Sequence, residues 1–256
     1  MSRIVDTSKT GSQTGNGMME GRAALIILTQ WRPEARLQGF LRLAAGVPDR
    51  GGIPGLVFMK LLGSGADGGF TLKPSFSHQG LFASFASAAL AESFLNSSYV
   101  EFYRERAVQF FAARLDPVST RGQWSGQEPF AVTTCLPSGA PIAALTRGSV
   151  RLRAAPRFWR YAPQAQEDVR TAEGCLLAAG LGEAPLLRQA TFSIWRHEAA
   201  MNAYARSGAH GAAIRATYAE GFFTESLFAR FAISHIEGAW NGFDAQAISA
   251  VTRAAA

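Results

Sequence analysis

One order of elements, β-α-β-β-α-β, can be read twice along this 256-residue chain, and that repeat leaves few folds open. In the first copy, ALIILTQW reads as a buried strand beginning near Ala23. Pro33 opens a helix over PEARLQGFLRLAAG, and Gly46 suits its stop. GLVFMKLL at 55–62 and GLFASFA at 80–86 read as strands either side of the loop GSGADGG at 63–69. The spacing of Leu90, Phe94, Phe102, Val108 and Phe111 predicts one long helix over 87–113. ARLDPVSTRGQW at 113–124 closes the copy as a fourth, irregular strand. Residues 125–140 are punctuated by Pro and Gly and read as a connector.

The second copy runs through the strand PIAALTRGSVRL, a helix opened by Pro156, the strands CLLAAGL and LLRQATFSIW, a helix over 197–219, and a strand over 226–238. An offset of 119 lays Phe40 on Trp159 and Gly63 on Gly182. An offset of 110 lays Phe85 on Trp195 and Phe94 on Tyr204, and RGQWSG at 121–126 falls on EGAWNG at 237–242. Two fused ferredoxin-like units predict a dimeric α+β barrel: two antiparallel sheets closing on each other, with helices outside. The expected layout is a polar, disordered tail over 1–22 and a single barrel domain over 23–256, with halves at 23–126 and 140–242. Met18 and Met19 offer later starts. Such a barrel encloses apolar pockets between sheet and helix, which suits haem or quinone-like ligands without fixing a function.

Composition narrows the class further. Hydrophobic residues make up 48% and charged residues 17%, enough for a well-filled core. No apolar run approaches the ~20 residues needed to cross a bilayer, and no basic-then-apolar leader opens the chain, so a cytoplasmic placement is expected. Net charge is +6, and arginine supplies most of the cations. Genome base composition accounts for that; attraction to an anionic surface such as lipid headgroups is the sharper alternative. The arginines are scattered and no nucleic-acid-binding signature is present, so no nucleic-acid partner is expected. Cys135 and Cys175 form no metal or redox pair.

HExxH, GxSxG and CxxC are all missing from the sequence. GSGADGG lacks the GK[ST] and following helix of a phosphate loop. Glu183, Glu220 and Glu225 read as solvated or capping carboxylates. Of the four histidines, His210 is the most informative, because small residues crowd it in RSGAHGAAIRATY. Glycine inside a helix costs roughly 1 kcal/mol relative to alanine, so this stretch gives up stability for room. The first copy has Val100 at the matched place. Two explanations stand: a haem site made by replacing bulk with an imidazole, or a helix packed closely on its sheet with a solvent-facing histidine. His235 shares a strand face with Phe231 and Ile233 and reads as a core histidine, with metal ligation second. His197 reads as exposed at a helix start, and His78 is given no role. Phe222, Phe223 and Phe228 lie in an insertion of the second copy, as an ordinary hinge or as the entry for a long apolar substrate.

Three segments carry a resemblance to a known family: FMKLLGSGADGGFTLKP at 58–74, RGQWSGQEPF at 121–130, and the long run from Gly182 to Phe231 that contains QATFSIWR. On them the chain resembles the spheroidene monooxygenases, haem-containing ketolases of acyclic carotenoids. The resemblance implies oxygenation at C-2 of a carotenoid, with O2 and an electron donor such as ferredoxin. It implies haem b, and it turns His210 into the preferred axial ligand, with His235 second. Arg188 and Arg206 are then candidate partners of the haem propionates. An apolar substrate implies peripheral contact with the inner membrane surface. A cofactor-free barrel monooxygenase acting on a small aromatic substrate, and a non-catalytic haem- or lipid-binding protein, are the alternatives.

Overall fold

The computed structural model describes residues 22–248, except 70, 72, 185, 186, 207, 209, 210, 213, 214, 217–219 and 247. Its strands are β1 (Ala23–Trp31), β2 (Leu56–Gly65), β3 (Pro74–Phe85), β4 (Ala107–Gly122), β5 (Ile142–Val150), β6 (Cys175–Ala184), β7 (Arg188–Trp195), β8 (Phe223–Trp240) and the short β9 (Phe243–Asp244). The helices are α1 (Arg36–Ala45), α2 (Ala88–Leu95), α3 (Ser98–Glu105), α4 (Ala155–Thr171) and α5 (Glu198–Arg206). The strands run β4-β1-β3-β2-β6-β7-β5-β8, and β8 pairs back onto β4. Eight antiparallel strands thus close a barrel, and each half keeps the ferredoxin-like order, as the repeat predicts.

The two halves match in register as well as in order. Ala23 pairs with Phe85 in the first half, and Ile142 pairs with Trp195 in the second, which are the same places under the offsets of 119 and 110. Leu61 opposite Leu81 corresponds to Gly180 opposite Thr191. A register shift between Leu56 and Phe58 recurs between Cys175 and Leu177. At one seam Gly63 pairs with its own counterpart, Gly182. The other seam is longer, and Phe111 opposite Gly238 mirrors Gly122 opposite Leu227.

Strand alternation sends one set of side chains into the barrel and the other outward. The lumen is filled by Ile26, Leu28, Phe58, Phe82, Leu115, Phe192 and Phe231, among others. Trp124 and Trp240, the matched tryptophans, are both buried in this core. The outward face of the first half is covered as completely. Leu25, Ile27, Met59, Leu81 and Phe85 pack against Ala91, Phe94, Leu95 and Val100 of α2 and α3.

One expected element is different. The helix over 87–113 is two short helices and a strand. Asn96 and Ser97 turn their side chains back onto the carbonyls of Glu92 and Phe94, and Ser97 itself takes extended backbone angles before α3. This is the local competition that short polar side chains offer a helix. Val108 and Phe111, which fitted the helical spacing, belong to β4.

Candidate functional site

The outward face of the second half has lost its bulk. At the places of Leu25, Ile27, Met59 and Leu61 stand Ala144, Thr146, Ala178 and Gly180. At the places of Leu81 and Ala83 stand Thr191 and Ser193. Removing side chains from a sheet while leaving its helices in position opens a void unless the layers collapse. Here a cavity of about 800 Å³ remains between the sheet and α4 and α5. Phe158 and Val169 of α4 and Met201, Tyr204 and Ala205 of α5 form its opposite wall. Trp195 stacks on Tyr204 at 5.1 Å between ring centres and closes one end. Phe222, Phe223 and Phe228, the aromatics of the second-half insertion, line the edge. Asp67, Gly68 and Thr71 of the β2–β3 connection and Trp240 also border it.

The chemistry this lining offers is sparse and largely neutral. Cys175 is half-buried, and burial pushes its thiol up to about 11, so it remains protonated near neutral pH. Burial likewise raises the Tyr204 phenol. Two cations reach the lining, Arg121 and Arg230, and Arg230 is held by Glu198 at 2.7 Å and Asn202 at 3.1 Å. Among the described residues no group of three or more His, Cys, Asp or Glu is placed to hold a metal ion.

His210 lies outside the described residues, and the helix expected over 197–219 is described as α5 and in fragments beyond it. Arg188 and Arg206 are exposed, and neither is part of the cavity lining. His235 is half-buried opposite Arg114. A register shift between Arg114 and Leu115 changes the phase of β8 there, so that Ile233 and Ile236 both pack on the lumen core. His235 therefore does not share the face of Phe231 and Ile233 that simple alternation gives it. His197 accepts the Ala200 N–H through Nδ1. His78, given no role from sequence, is buried in β3 with Nδ1 against Ser75 Oγ at 2.9 Å and Ser77 Oγ at 3.1 Å.

A second polar cluster plugs one mouth of the barrel. Arg147 is almost fully buried and bonds Glu225 and Glu183. Lys60 and the Trp124 indole N–H also meet Glu183. Glu225 in turn accepts the backbone N–H groups of Ser125 and Gly126. Glu183 and Glu225 are thus internal ion partners rather than solvated carboxylates. Sequence reading missed them because they lie 36 and 78 residues from their partner, Arg147. The small outward residues were within reach of the sequence, since the offsets already placed five of the six beside a bulkier counterpart.

No family model matches the chain. It is 47% identical over 223 residues to spheroidene monooxygenase of Rubrivivax gelatinosus, covering 87% of this chain and 86% of that protein. It is 39% identical over 204 residues to the spheroidene monooxygenase of Rhodobacter capsulatus, covering 78% and 85%. Among solved structures, aldoxime dehydratase superposes with a TM-score of 0.57 over 85% of this chain and 83% of its own, at 13% identity, a likeness of fold alone. The barrel is shared with an enzyme of another activity, but the sequence matches to the two bacterial proteins each cover more than three quarters of both chains at 39% identity or more, and the chain belongs to the spheroidene monooxygenase family of oxidoreductases.

Proposed function

We propose that the protein is a haem-dependent monooxygenase that places a keto group at C-2 of an acyclic, spheroidene-like carotenoid, using O2 and an external donor such as ferredoxin. Family membership supports the oxygenation, and the second-half cavity supports the cofactor. Its volume lies within the range of cofactor and ligand sites, roughly 300–1,000 Å³. Its walls suit a flat, mostly apolar group: alanine, glycine and hydroxyl residues on the sheet, aromatic and aliphatic residues on the helices. Arg121 and Arg230 bring positive charge to the lining beside the single carboxylate Asp67, and Arg121 suits a propionate better than Arg188 or Arg206, which are exposed like it but do not reach the lining.

His210 is the residue that would hold the haem iron on this reading. It follows Ala205 of the cavity wall by five residues, a reach of at most about 17 Å of extended chain. His235 is the second choice. Haem would supply the activation of O2. The protein's part is to bind, orient and keep water out. Phe222, Phe223 and Phe228 offer a polyene an aromatic surface, and the protonated Cys175 adds no charge to the wall. The net change is two rounds of C–H oxidation, each taking one O2, two electrons and two protons and releasing one water. The second gives a geminal diol, which loses water to the ketone.

The test is expression of the full chain with haem supplied in carotenoid-producing cells. A Soret band and a red-shifted pigment are expected, and both should vanish in His210→Ala with the circular dichroism preserved. Ketone formation by haem-free protein would overturn the cofactor assignment.

A further inference from the structure

The first helix is amphipathic in the wrong sense for a helix of the core. α1 packs inward through Ala35 before it, then Gly39 and Leu43. A Cβ on Gly39 would meet the Trp31 indole at 2.4 Å, and Leu43 reaches to 3.6 Å from the place of a Gly63 Cβ. Its outward stripe is Leu37, Phe40, Leu41 and Ala44, spaced i, i+3, i+4, i+7. Leu37 is 67% exposed, Leu41 57% and Phe40 46%. Phe76, from the start of β3, is 67% exposed and stands 6.2 Å from Phe40 between ring centres. Four large apolar side chains thus form one patch, where isolated exposed residues would need no explanation.

The repeat does not require this stripe. At the matched places the second half has Pro156, Trp159, Arg160 and Pro163. The charges beside the patch are also one-sided. Residues 32–45 and 73–78 carry Arg32, Arg36, Arg42 and Lys73 against the single carboxylate Glu34. Finally, a short run of chain links the cavity border to the patch. The β2–β3 connection that borders the cavity with Asp67, Gly68 and Thr71 leads directly into Lys73 and Phe76.

We infer that the α1 stripe and Phe76 form a docking surface for an anionic phospholipid bilayer. The apolar side chains enter the boundary between headgroups and acyl chains while Arg36 and Lys73 meet the phosphates. A second copy of the chain is the less suitable occupant, because it would bring these cations against one another. Among the described residues no helix is long and apolar enough to cross a membrane, so such contact would be peripheral through this face. The docking surface goes beyond the haem and carotenoid assignment and stands without it, because lipid binding is measured with neither present.

The experiment is co-sedimentation of the full chain with phosphatidylcholine vesicles containing phosphatidylglycerol, at low and moderate salt. Binding is expected to the anionic vesicles and to weaken as salt screens the headgroups. The double substitution Phe40→Ser with Phe76→Ser should lower the bound fraction about tenfold, as should Leu37→Ser with Leu41→Ser, since binding scales with inserted apolar area. Leu152→Ser, at an exposed leucine elsewhere, should leave it unchanged. Binding that persists in both double variants, or falls equally in Leu152→Ser, overturns the surface. So does a wild-type chain that ignores the vesicles and instead forms a dimer, abolished by the same substitutions.

Discussion

Arg147 donates to Glu225 across the β5–β8 pair, and the same carboxylate accepts the backbone N–H groups of Ser125 at 3.0 Å and Gly126 at 2.7 Å. One glutamate therefore neutralises a buried cation and pins the loop that follows β4. Burial alone would raise its carboxyl, but the two N–H groups and Arg147 outweigh that and hold it below the usual range. Glu225→Ala leaves Arg147 with Glu183 alone, at 3.3 Å. We expect a loss of about 3 kcal/mol in urea unfolding, near the low end for a broken buried pair because Glu225 is partly exposed. Glu198→Ala, which breaks the exposed pair with Arg230, should cost under about 1 kcal/mol. Equal losses in the two variants would contradict the difference in burial. The Glu225 contribution is complete above the ordinary carboxylate range and is lost as pH falls through the lowered native value.

The cavity predicts an exchange between stability and activity. Ala144→Leu combined with Ala178→Met restores the side chains that the first half has at the same places, Leu25 and Met59. Filling a void of this kind should add about 1 kcal/mol, or a few degrees in Tm. Under the proposed function, haem retention and carotenoid oxidation should fall at least about tenfold, because the proposed site depends on that space. A variant of unchanged activity would move the site away from this cavity.

Most of the fold was legible because the repeat constrains itself. Gly63 on Gly182 and Trp124 on Trp240 were matched from sequence, and each pair occupies equivalent places in the barrel. Three things were hidden, each for a physical reason. The break at Asn96 and Ser97 depends on side chains bonding to carbonyls, which hydrophobic spacing does not record. The phase of His235 depends on a register shift that only the pairing with β4 reveals. The plug depends on partners distant in the chain. The cavity is the intermediate case: attention to His210 and Val100 passed over five strand positions whose loss of bulk the same offsets display.

The long β4–β8 seam predicts a matched pair of failures. Gly122 and Gly238 have φ values of 92° and 79°, and a Cβ would lie 2.1 Å from the Ser226 carbonyl oxygen and 2.0 Å from that of Phe110. Both obstacles are backbone, so neither can step aside. Gly122→Ala and Gly238→Ala should each destabilise by about 3 kcal/mol or more. Gly126→Ala, at a φ of 69° with nothing within 4 Å, should lose only the cost of the left-handed conformation, about 1 kcal/mol. Thermal unfolding of the three variants checks the order, and a mild Gly122→Ala would mean that the β4–β8 seam can shift.

His78 predicts a pH dependence separate from that of the carboxylates. Burial lowers its pKa from the usual 6.5, Asp67 opposes the shift, and Arg36 adds to it. The ring is enclosed by Ser75, Ser77 and Trp240, so the native state holds it neutral. The unfolded chain then binds more protons than the native one between the lowered native value and 6.5. Stability is full above that window, falls as pH drops through it, and levels off below the native value. Urea midpoints at pH 7.5, 6.5 and 5.5 test this without titrating most carboxylates. His78→Gln should flatten the slope over that range, whatever its own cost to stability, because the comparison is of slopes. An unaltered slope in His78→Gln would assign the pH dependence to another group.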